Sequence, residues 1–495
     1  MKVIREPMEF HGELSRKILE AKENVILSAL YLGCGLFESE TLLATLERAL
    51  IRNQRLRITI FLDYSRMLRE RENIHLSSLL TSYSSRLSVC LYKMPSVTDF
   101  LYAQINEIFG VFHCKFAVFD NDFLLTGANL SEEYFKTRQD RYLLFESQND
   151  CGVSSIADFL REFSLSLRDQ CHLLQPKLQT ISPANADREL FRVALIEMCQ
   201  RYSSKQDSQS KVSIQPVIQH APIGIRLEEQ VISRLLAGHL GCNSTNEHPW
   251  HIELILASPY PSFTKIMRTA LCCFFEKSKL SVTAIIPAPT AHGFNNGRGL
   301  KSVIPRMHEA CYQDFLGYDS PFTIASLHYS RPLWTFHAKG IWLFSSRPIK
   351  ALTREGNDST LTIESNLHPD PKQNLLTKLE RSAAQSTSSD CLEYEAITYI
   401  GSSNMGERSW KRDFELGFVL HVRDKSWYKQ LEAECASLID HCKPVNVHSV
   451  ASMQLNSRLL RKDVPIAGKL SMRTASALMQ RRIIQLLARV FRSFL

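Results

Sequence analysis

The sequence predicts an α/β protein built from two duplicated domains. Each is expected to be a mixed β-sheet flanked by helices, with a single site at their interface. Three observations carry that expectation. Short apolar strands alternate with amphipathic helices. The alternation runs twice, with similar strands in the same order. A His-x-Lys pair followed by a glycine-led Asn occurs once in each half, as His113, Lys115 and Asn129, then His337, Lys339 and Asn404.

In the first half, Leu14, Ile18 and Ala21 have helical spacing within Phe10 to Ala21. Asn24 to Gly35 opens as a buried strand and ends in a Gly-containing turn. Ser39 to Arg52 is a helix with Leu42, Leu43, Leu46 and Leu50 on one face. Leu56 to Asp63 (LRITIFLD) is a second strand, followed by a helix near Ile74 to Ser82. Leu87 to Lys93, Phe112 to Phe119, Phe123 to Thr126 and Arg141 to Glu146 continue the sheet, and Ile156 to Gln170 is helical.

The second half runs the same programme. Arg226 to Gly238 is a helix, and His251 to Ser258 (HIELILAS) matches the first strand. Phe263 to Lys277 is helical, and Leu280 to Ile286 (LSVTAII) matches LRITIFL. Trp334 to Leu343 carries the second His-x-Lys, and Ala396 to Gly401 leads into the second Asn. Glu415 to His421 matches the Arg141 strand. A repeat of about two hundred residues is a duplication, too long for a solenoid unit. The expected organisation is a first half over 1–175, a linker with a helix (Arg188 to Arg201) over 176–223, a second half over 224–445 and a basic tail over 446–495. Residues 345–391, rich in Ser, Thr, Asn, Pro and charge, read as a surface insertion.

Composition bounds the function. The chain has 495 residues, 44% of them apolar, and a net charge of +8. That suits sizeable cores and an anionic partner: nucleic acid, a phospholipid surface or a phosphorylated substrate. Thirteen cysteines without a C-x-x-C spacing read as reduced, buried thiols. No run of eighteen apolar residues suggests a spanning helix, and the acid-containing N-terminus does not look like a transit peptide.

Positions i and i+2 of a strand share a face, so His113 and Lys115 are expected on one face, as are His337 and Lys339. Two His, two Lys and two Asn around one mouth make a cationic pocket suited to a phosphodiester, with no metal carboxylates and no cofactor required. One imidazole would attack phosphorus and the other would protonate the leaving oxygen. The lysines and asparagines would hold the non-bridging oxygens. Asp140 lies eleven residues after Asn129, and Glu415 eleven after Asn404. A carboxylate at the same offset in both halves could orient one histidine each. Asp120 completes H-x-K-x4-D in the first half, but Phe344 holds its place in the second, so Asp120 reads as scaffolding more than as direct chemistry. His251, His292 and His328 read as core or surface histidines.

These motifs resemble the phospholipase D superfamily. YLGCG (31–35), LDYSR (62–66), GANLSEEYFKTRQDRY (127–142), HGFNNGRG (292–299) and WTFHAKGIWL (334–343) are similar to the eukaryotic phosphatidylglycerophosphate synthases within it. The resemblance implies two phospholipase D-like halves sharing one active site. It implies transfer of a phosphatidyl group from CDP-diacylglycerol to glycerol 3-phosphate with release of CMP, through a phosphohistidine on His113 with His337 as acid and base, in mitochondria on the matrix side of the inner membrane. Arg66, Arg298, Lys301, Arg138 and Arg412 are the candidate substrate-phosphate contacts. Other acceptors remain open, as in cardiolipin synthase, phosphatidylserine synthase or phospholipase D. A nuclease would use the same pocket, but no basic run or interleaved aromatic stretch outside the tail favours nucleic acid. In the tail, Met479, Ile483, Leu486, Leu487, Val490 and Phe494 line one helical face against Arg481, Gln485, Arg489 and Arg492. That pattern fits residues 475–495 lying in an anionic membrane interface, or docking on the protein's own core.

Overall fold

A computed structural model describes residues 1–33, 42–69, 74–97, 103–146, 151–184, 186–204, 211–238, 251–275, 279–295, 297, 302–317, 324–348, 392–445 and 484. Among them, two nine-stranded sheets organise the chain. The first is built from β1 (Lys2–Ile4), β2 (Asn24–Ser28), β3 (Arg57–Asp63), β4 (Leu87–Tyr92), β5 (Phe116–Phe119) and β6 (Asp122–Thr126). After the short β7 (Arg138–Gln139), it is completed by β8 (Tyr142–Phe145), β9 (Cys171–Leu174) and β10 (Thr180–Ile181). Its order is β1-β8-β6-β5-β2-β3-β4-β9-β10.

The second sheet holds β11 (Val212–His220), β12 (Ile225–Arg226), β13 (His251–Ala257), β14 (Lys279–Pro287) and β15 (Ile324–Tyr329). After the short β16 (Thr335–Phe336) come β17 (Gly340–Pro348), β18 (Leu392–Gly401), β19 (Phe414–Val422) and β20 (Cys442–Pro444). Its order is β12-β11-β19-β18-β17-β13-β14-β15-β20, in which the eight strands from β11 to β20 repeat the eight from β1 to β9 of the first, while β12 and β10 have no counterpart. β2-β3-β4 and β13-β14-β15 are parallel triplets, and the flanking strands are antiparallel. The duplication is therefore one of topology as well as of motif.

The parallel triplets need helical crossovers, and the sequence supplies them. Leu42–Arg52 links β2 to β3 and buries Leu42, Leu43, Leu46 and Leu50. Lys265–Phe275 links β13 to β14 and buries Met267, Leu271 and Phe274. One apolar cluster belongs to both halves, running from Phe61 and Phe116 through Phe112 and Phe414 to Trp342. Within the joint, the Arg141 guanidinium makes two 2.8 Å hydrogen bonds to Glu434 and a third, of 2.7 Å, to the Tyr399 carbonyl. It also lies 3.8 Å from the Trp342 ring centroid. Breaking such a buried pair from one side costs about 3–5 kcal/mol, so the halves are fixed in one register.

Two short parallel pairings carry the joint to the site. β16 pairs with β7, Thr335 opposite Arg138 and Phe336 opposite Gln139. Phe112 bridges to Phe414 in the same sense. Backbone bonds extend both: His337 N–H donates to the Gln139 carbonyl at 2.7 Å, and His113 N–H to the Phe414 carbonyl at 2.8 Å.

Several boundaries move. Residues 212–220, counted with the linker, form β11 of the second sheet, Arg226, read as the start of a helix, lies in β12, and the helix before them is Arg188–Ser204. β17 reaches Pro348, so the stretch read as an insertion from 345 leaves the sheet only after 348. His113 and Lys115 are not inside a strand, since β5 begins at Phe116; His337 and Lys339 likewise lie between β16 and β17. Each segment is held by the other half before its chain joins its own sheet. The described helices include none long and apolar enough to cross a membrane. The tail lies outside the described residues except Ile484, which packs beside Met307 and Cys311 of the helix Ile304–Leu316.

Candidate active site

The paired segments bring both His-x-Lys motifs to the joint between the sheets. The carboxylates are exchanged across it. His113 Nδ1 lies 2.8 Å from Glu415 Oε2, and His337 Nδ1 lies 2.6 Å from Asp140 Oδ2. The cause is the backbone pairing: Asp140 follows Gln139, which faces Phe336, and Glu415 follows Phe414, which faces Phe112. Each histidine is thus oriented by an acid from the other half. A carboxylate only accepts, so His113 Nδ1 carries the hydrogen and His113 Nε2 keeps its lone pair; His337 Nδ1 faces both the Asp140 carboxylate and the Lys339 ammonium, an acceptor and a donor.

The two Nε2 atoms are not equivalent. His337 Nε2 lies 3.1 Å from the Tyr134 hydroxyl, which accepts a 3.1 Å bond from the Asn129 amide. The Tyr134 ring also meets His337 edge-on, with centroids 4.9 Å apart. No hydrogen bond to His113 Nε2 occurs among the described residues. At the offset of Tyr134 from Asn129, the second half has Ser409, whose hydroxyl accepts from the Asn404 backbone N–H at 3.3 Å.

The lysines are buried with the acids. Lys339 Nζ is 3.3 Å from Asp140, 2.7 Å from His337 Nδ1 and 3.1 Å from the Gly127 carbonyl. A Cβ at Gly127 would sit 2.7 Å from both Lys339 Nζ and Asp140 Oδ1, so a side chain there would push the lysine and the acid aside. Lys115 Nζ donates to the His113 carbonyl at 2.8 Å. Ser402 donates from its hydroxyl to Glu415.

Burial dominates the electrostatics. It holds both imidazoles well below their ordinary range, helped by Lys115 at His113 and by Lys339 at His337. It pushes Lys115 down to about 7 and lowers Lys339, each partly offset by the nearby acids. It pushes Glu415 up to about 7 and raises Asp140, with the lysines opposing. Burial of the cluster therefore favours neutral imidazoles. A bound phosphate, by adding negative charge, favours the cationic forms.

The remaining expected residues divide. Asn129 is engaged with Tyr134 and, through its carbonyl oxygen, with the Leu30 backbone N–H at 3.2 Å. Asn404 has its carbonyl oxygen buried with no hydrogen-bond partner among the described residues. Asp120 is not brought to the histidines. It lies past the far end of β5, at φ 52°, and accepts backbone N–H bonds of 2.7, 2.9 and 2.8 Å from Lys22, Glu23 and Asn24. Three peptide donors give this acid a structural task at the turn. Arg66 lies 4.6 Å from the Tyr31 ring centroid and 3.5 Å from Glu107. Its backbone N–H donates to Asp63, which also holds the Phe112 N–H. Arg298 and Lys301 lie outside the described residues.

Sequence reasoning gave no part in the site to four of its neighbours. Tyr134 stood inside a quoted motif without a chemical signal of its own. Ser402 is one of two adjacent serines. His292, read as core or surface, is buried next to Tyr260, whose ring centroid is 6.0 Å from that of His337. Glu228 accepts from Trp410 Nε1 and the Tyr399 hydroxyl, both at 2.9 Å; burial, with Glu415 nearby, pushes it up to about 7. The described residues hold no cluster of His, Cys, Asp and Glu that could bind a metal.

No family model matches the chain. The sequence is 28% identical over 468 residues to a protein of Dictyostelium discoideum named as a probable CDP-diacylglycerol–glycerol-3-phosphate 3-phosphatidyltransferase, spanning 87% of this chain and 71% of that one. The mitochondrial enzyme of that name from Gallus gallus is 27% identical over 483 residues, 88% and 76% of the two chains. The enzyme of that name from Saccharomyces cerevisiae is 26% identical over 486 residues, 91% and 84%. In three dimensions the chain is similar to phosphatidylserine synthase of Haemophilus influenzae, with a TM-score of 0.64 at 15% identity over 100% of this chain and 95% of that one. That likeness supports the duplicated phospholipase D-like fold.

Proposed function

We infer that this chain is a phosphatidyltransferase of the phospholipase D superfamily, a CDP-diacylglycerol–glycerol-3-phosphate 3-phosphatidyltransferase serving phosphatidylglycerol and cardiolipin synthesis. The relatives supply the substrates. The observation that carries the chemistry is the exchange of acids, Glu415 on His113 and Asp140 on His337. One site then needs both halves, as a two-step transfer needs two histidines.

In the first step His113 Nε2 attacks the phosphatidyl phosphorus. A P–N bond forms and the P–O bond to CMP breaks. Glu415 stabilises the imidazolium through Nδ1–H, and His337, protonated on Nε2 once the negative charge of the substrate is bound, gives that proton to the departing oxygen. In the second step His337 removes the proton from the glycerol 3-phosphate hydroxyl. The new P–O bond forms as the P–N bond breaks, and His113 returns neutral. Lys115, Lys339 and Asn404 surround the non-bridging oxygens, where a preorganised cation is worth most in a water-poor site. Tyr134 distinguishes the roles: it occupies His337 Nε2 in the resting protein and leaves that of His113 for phosphorus. These assignments support His113 as nucleophile and His337 as acid and base.

Five relatives bear the mitochondrial name, that of Gallus gallus among them, which favours a mitochondrial setting, with the matrix side of the inner membrane as the proposed surface. The test is direct. Purified protein with CDP-diacylglycerol in mixed micelles is offered glycerol 3-phosphate, serine, phosphatidylglycerol or water, and CMP release and lipid product are followed. Phosphatidylglycerophosphate from glycerol 3-phosphate is the expected dominant product. A preference for serine or phosphatidylglycerol would overturn the acceptor.

A further inference from the structure

In-line displacement at phosphorus puts the leaving group and the attacking hydroxyl on the same face, opposite the histidine that forms the P–N bond. With His113 as nucleophile, that face belongs to His337. An acceptor that carries its own phosphate must therefore seat it near His337, and this step rests on the phosphatidyltransferase reading above.

One cation adjoins His337 in the right way. Arg138 sits on β7, two residues before Asp140, and pairs with Thr335, two residues before His337. Its Nε donates to Thr335 Oγ1 at 3.0 Å, and its guanidinium carbon lies 4.9 Å from the centroid of the Tyr134 ring. Across from it runs the turn at Gly293. A Cβ at Gly293 would lie 3.1 Å from the Tyr260 hydroxyl and 3.5 Å from Arg138 Nη2. The turn is locked from behind: Phe294 N–H donates to His292 Nδ1 at 3.1 Å, and His292 Nε2 meets His308 Nδ1 at 3.2 Å. A guanidinium, a phenol and a backbone without a side chain thus converge beside the acid–base histidine.

The other half shows what Arg138 is spared. Four and nine residues after Asn129 stand Glu133 and Arg138; four and nine after Asn404 stand Arg408 and Asp413. The ion pair is kept with its signs reversed, at 3.0 Å and 3.2 Å. Arg408 is tied to a buried partner, since the Asp413 side chain is 4% exposed, and it also donates to the Glu107 carbonyl at 2.7 Å. The partner of Arg138 is surface-exposed: the Glu133 side chain is 63% exposed. A dianionic phosphate can displace that carboxylate at little cost, whereas Asp413 is fixed.

We propose that Arg138, the Tyr260 hydroxyl and the backbone at Gly293 form the seat for the phosphate monoester of the acceptor, and that this seat selects glycerol 3-phosphate over unphosphorylated alcohols. In the second step the acceptor hydroxyl oxygen bonds to phosphorus, the bond to His113 breaks, and the hydroxyl proton passes to His337. The seated phosphate takes no part in the bond changes and sets the hydroxyl in line.

The experiment compares kcat/KM for glycerol 3-phosphate with that for glycerol, in the full-length protein with CDP-diacylglycerol as donor. Arg138→Gln is expected to lower that ratio about 10- to 100-fold, the worth of a charge-assisted phosphate contact. Gly293→Ala, which places a methyl group between Tyr260 and Arg138 and leaves the ion pairs alone, is expected to lower it in the same direction and carries the test if Arg138→Gln does not fold. A ratio unchanged in both folded variants, including one where every acceptor falls alike, overturns the seat. A wild-type protein that releases no CMP would sink the donor assignment instead. Calorimetric binding of glycerol 3-phosphate, weakened by both variants or by neither, then decides the seat separately.

Discussion

Asp140→Asn separates the two steps of the transfer. The carboxylate stands 2.6 Å from His337 Nδ1, so the isosteric amide keeps the shape and removes the charge that favours the imidazolium. Its effect on the steps differs because the oxygens differ. CMP departs through a phosphate oxygen whose second pKa is about 6, so it needs little help from an acid. The acceptor's alcohol is far less acidic and needs its base. General-base assistance is worth about 10²–10⁴-fold, or roughly 3–5 kcal/mol of barrier, and most of that loss falls on the second step. Lys339 keeps its bond to the Gly127 carbonyl, so the cluster retains one anchor. Rapid-quench measurement of CMP should show a burst of about one CMP per chain followed by slow turnover, while the lipid-labelled protein accumulates. Glu415→Gln, acting on His113 through a 2.8 Å contact, should give no burst. A slow Asp140→Asn enzyme with no burst, or a full burst from Glu415→Gln, would refute the division of roles.

Three further outcomes follow from single contacts. Tyr134→Phe removes the hydroxyl at His337 Nε2. It should lower kcat about tenfold and shift the pH–rate profile with little change in KM, and titrating kcat checks it. Asp120→Ala removes the acceptor of three backbone N–H groups. It should cost about 1–3 kcal/mol in urea unfolding while specific activity of the folded fraction is retained. Glu228 has its folded pKa raised from 4.5 to about 7. Its stabilising share is complete below the unfolded value and is lost as pH rises through the folded one. Glu228→Gln lacks that loss. Its stability relative to the wild type should therefore improve by about 3 kcal/mol between pH 4.5 and 7, measured by unfolding at both ends.

The fold was legible where burial is two-sided and periodic. LRITIFLD and LSVTAII read as strands because both faces are covered, and they form β3 and β14. β11 was missed because VSIQPVIQH carries a proline and two glutamines. Only β19 pairs along most of its length, and an edge tolerates Pro216 there. The short β1, β9, β10 and β20 are too brief to show a period. That these side chains cluster was legible from repetition, which paired His113 with His337 and Asp140 with Glu415. Repetition could not say which acid meets which histidine, because the exchange arises from backbone pairing between segments 197 and 302 residues apart. Nor could it find Tyr134, whose counterpart Ser409 breaks the repeat at the one position where the two histidines are made to differ.

The central claim is that one site, made from both halves, forms one covalent intermediate. Quenching the protein with labelled CDP-diacylglycerol in the absence of acceptor and mapping the label by mass spectrometry tests it most directly. The account predicts one phosphatidyl group per chain, on His113, absent from His113→Ala and trapped in His337→Ala. Label on His337, or two groups per chain, would contradict it.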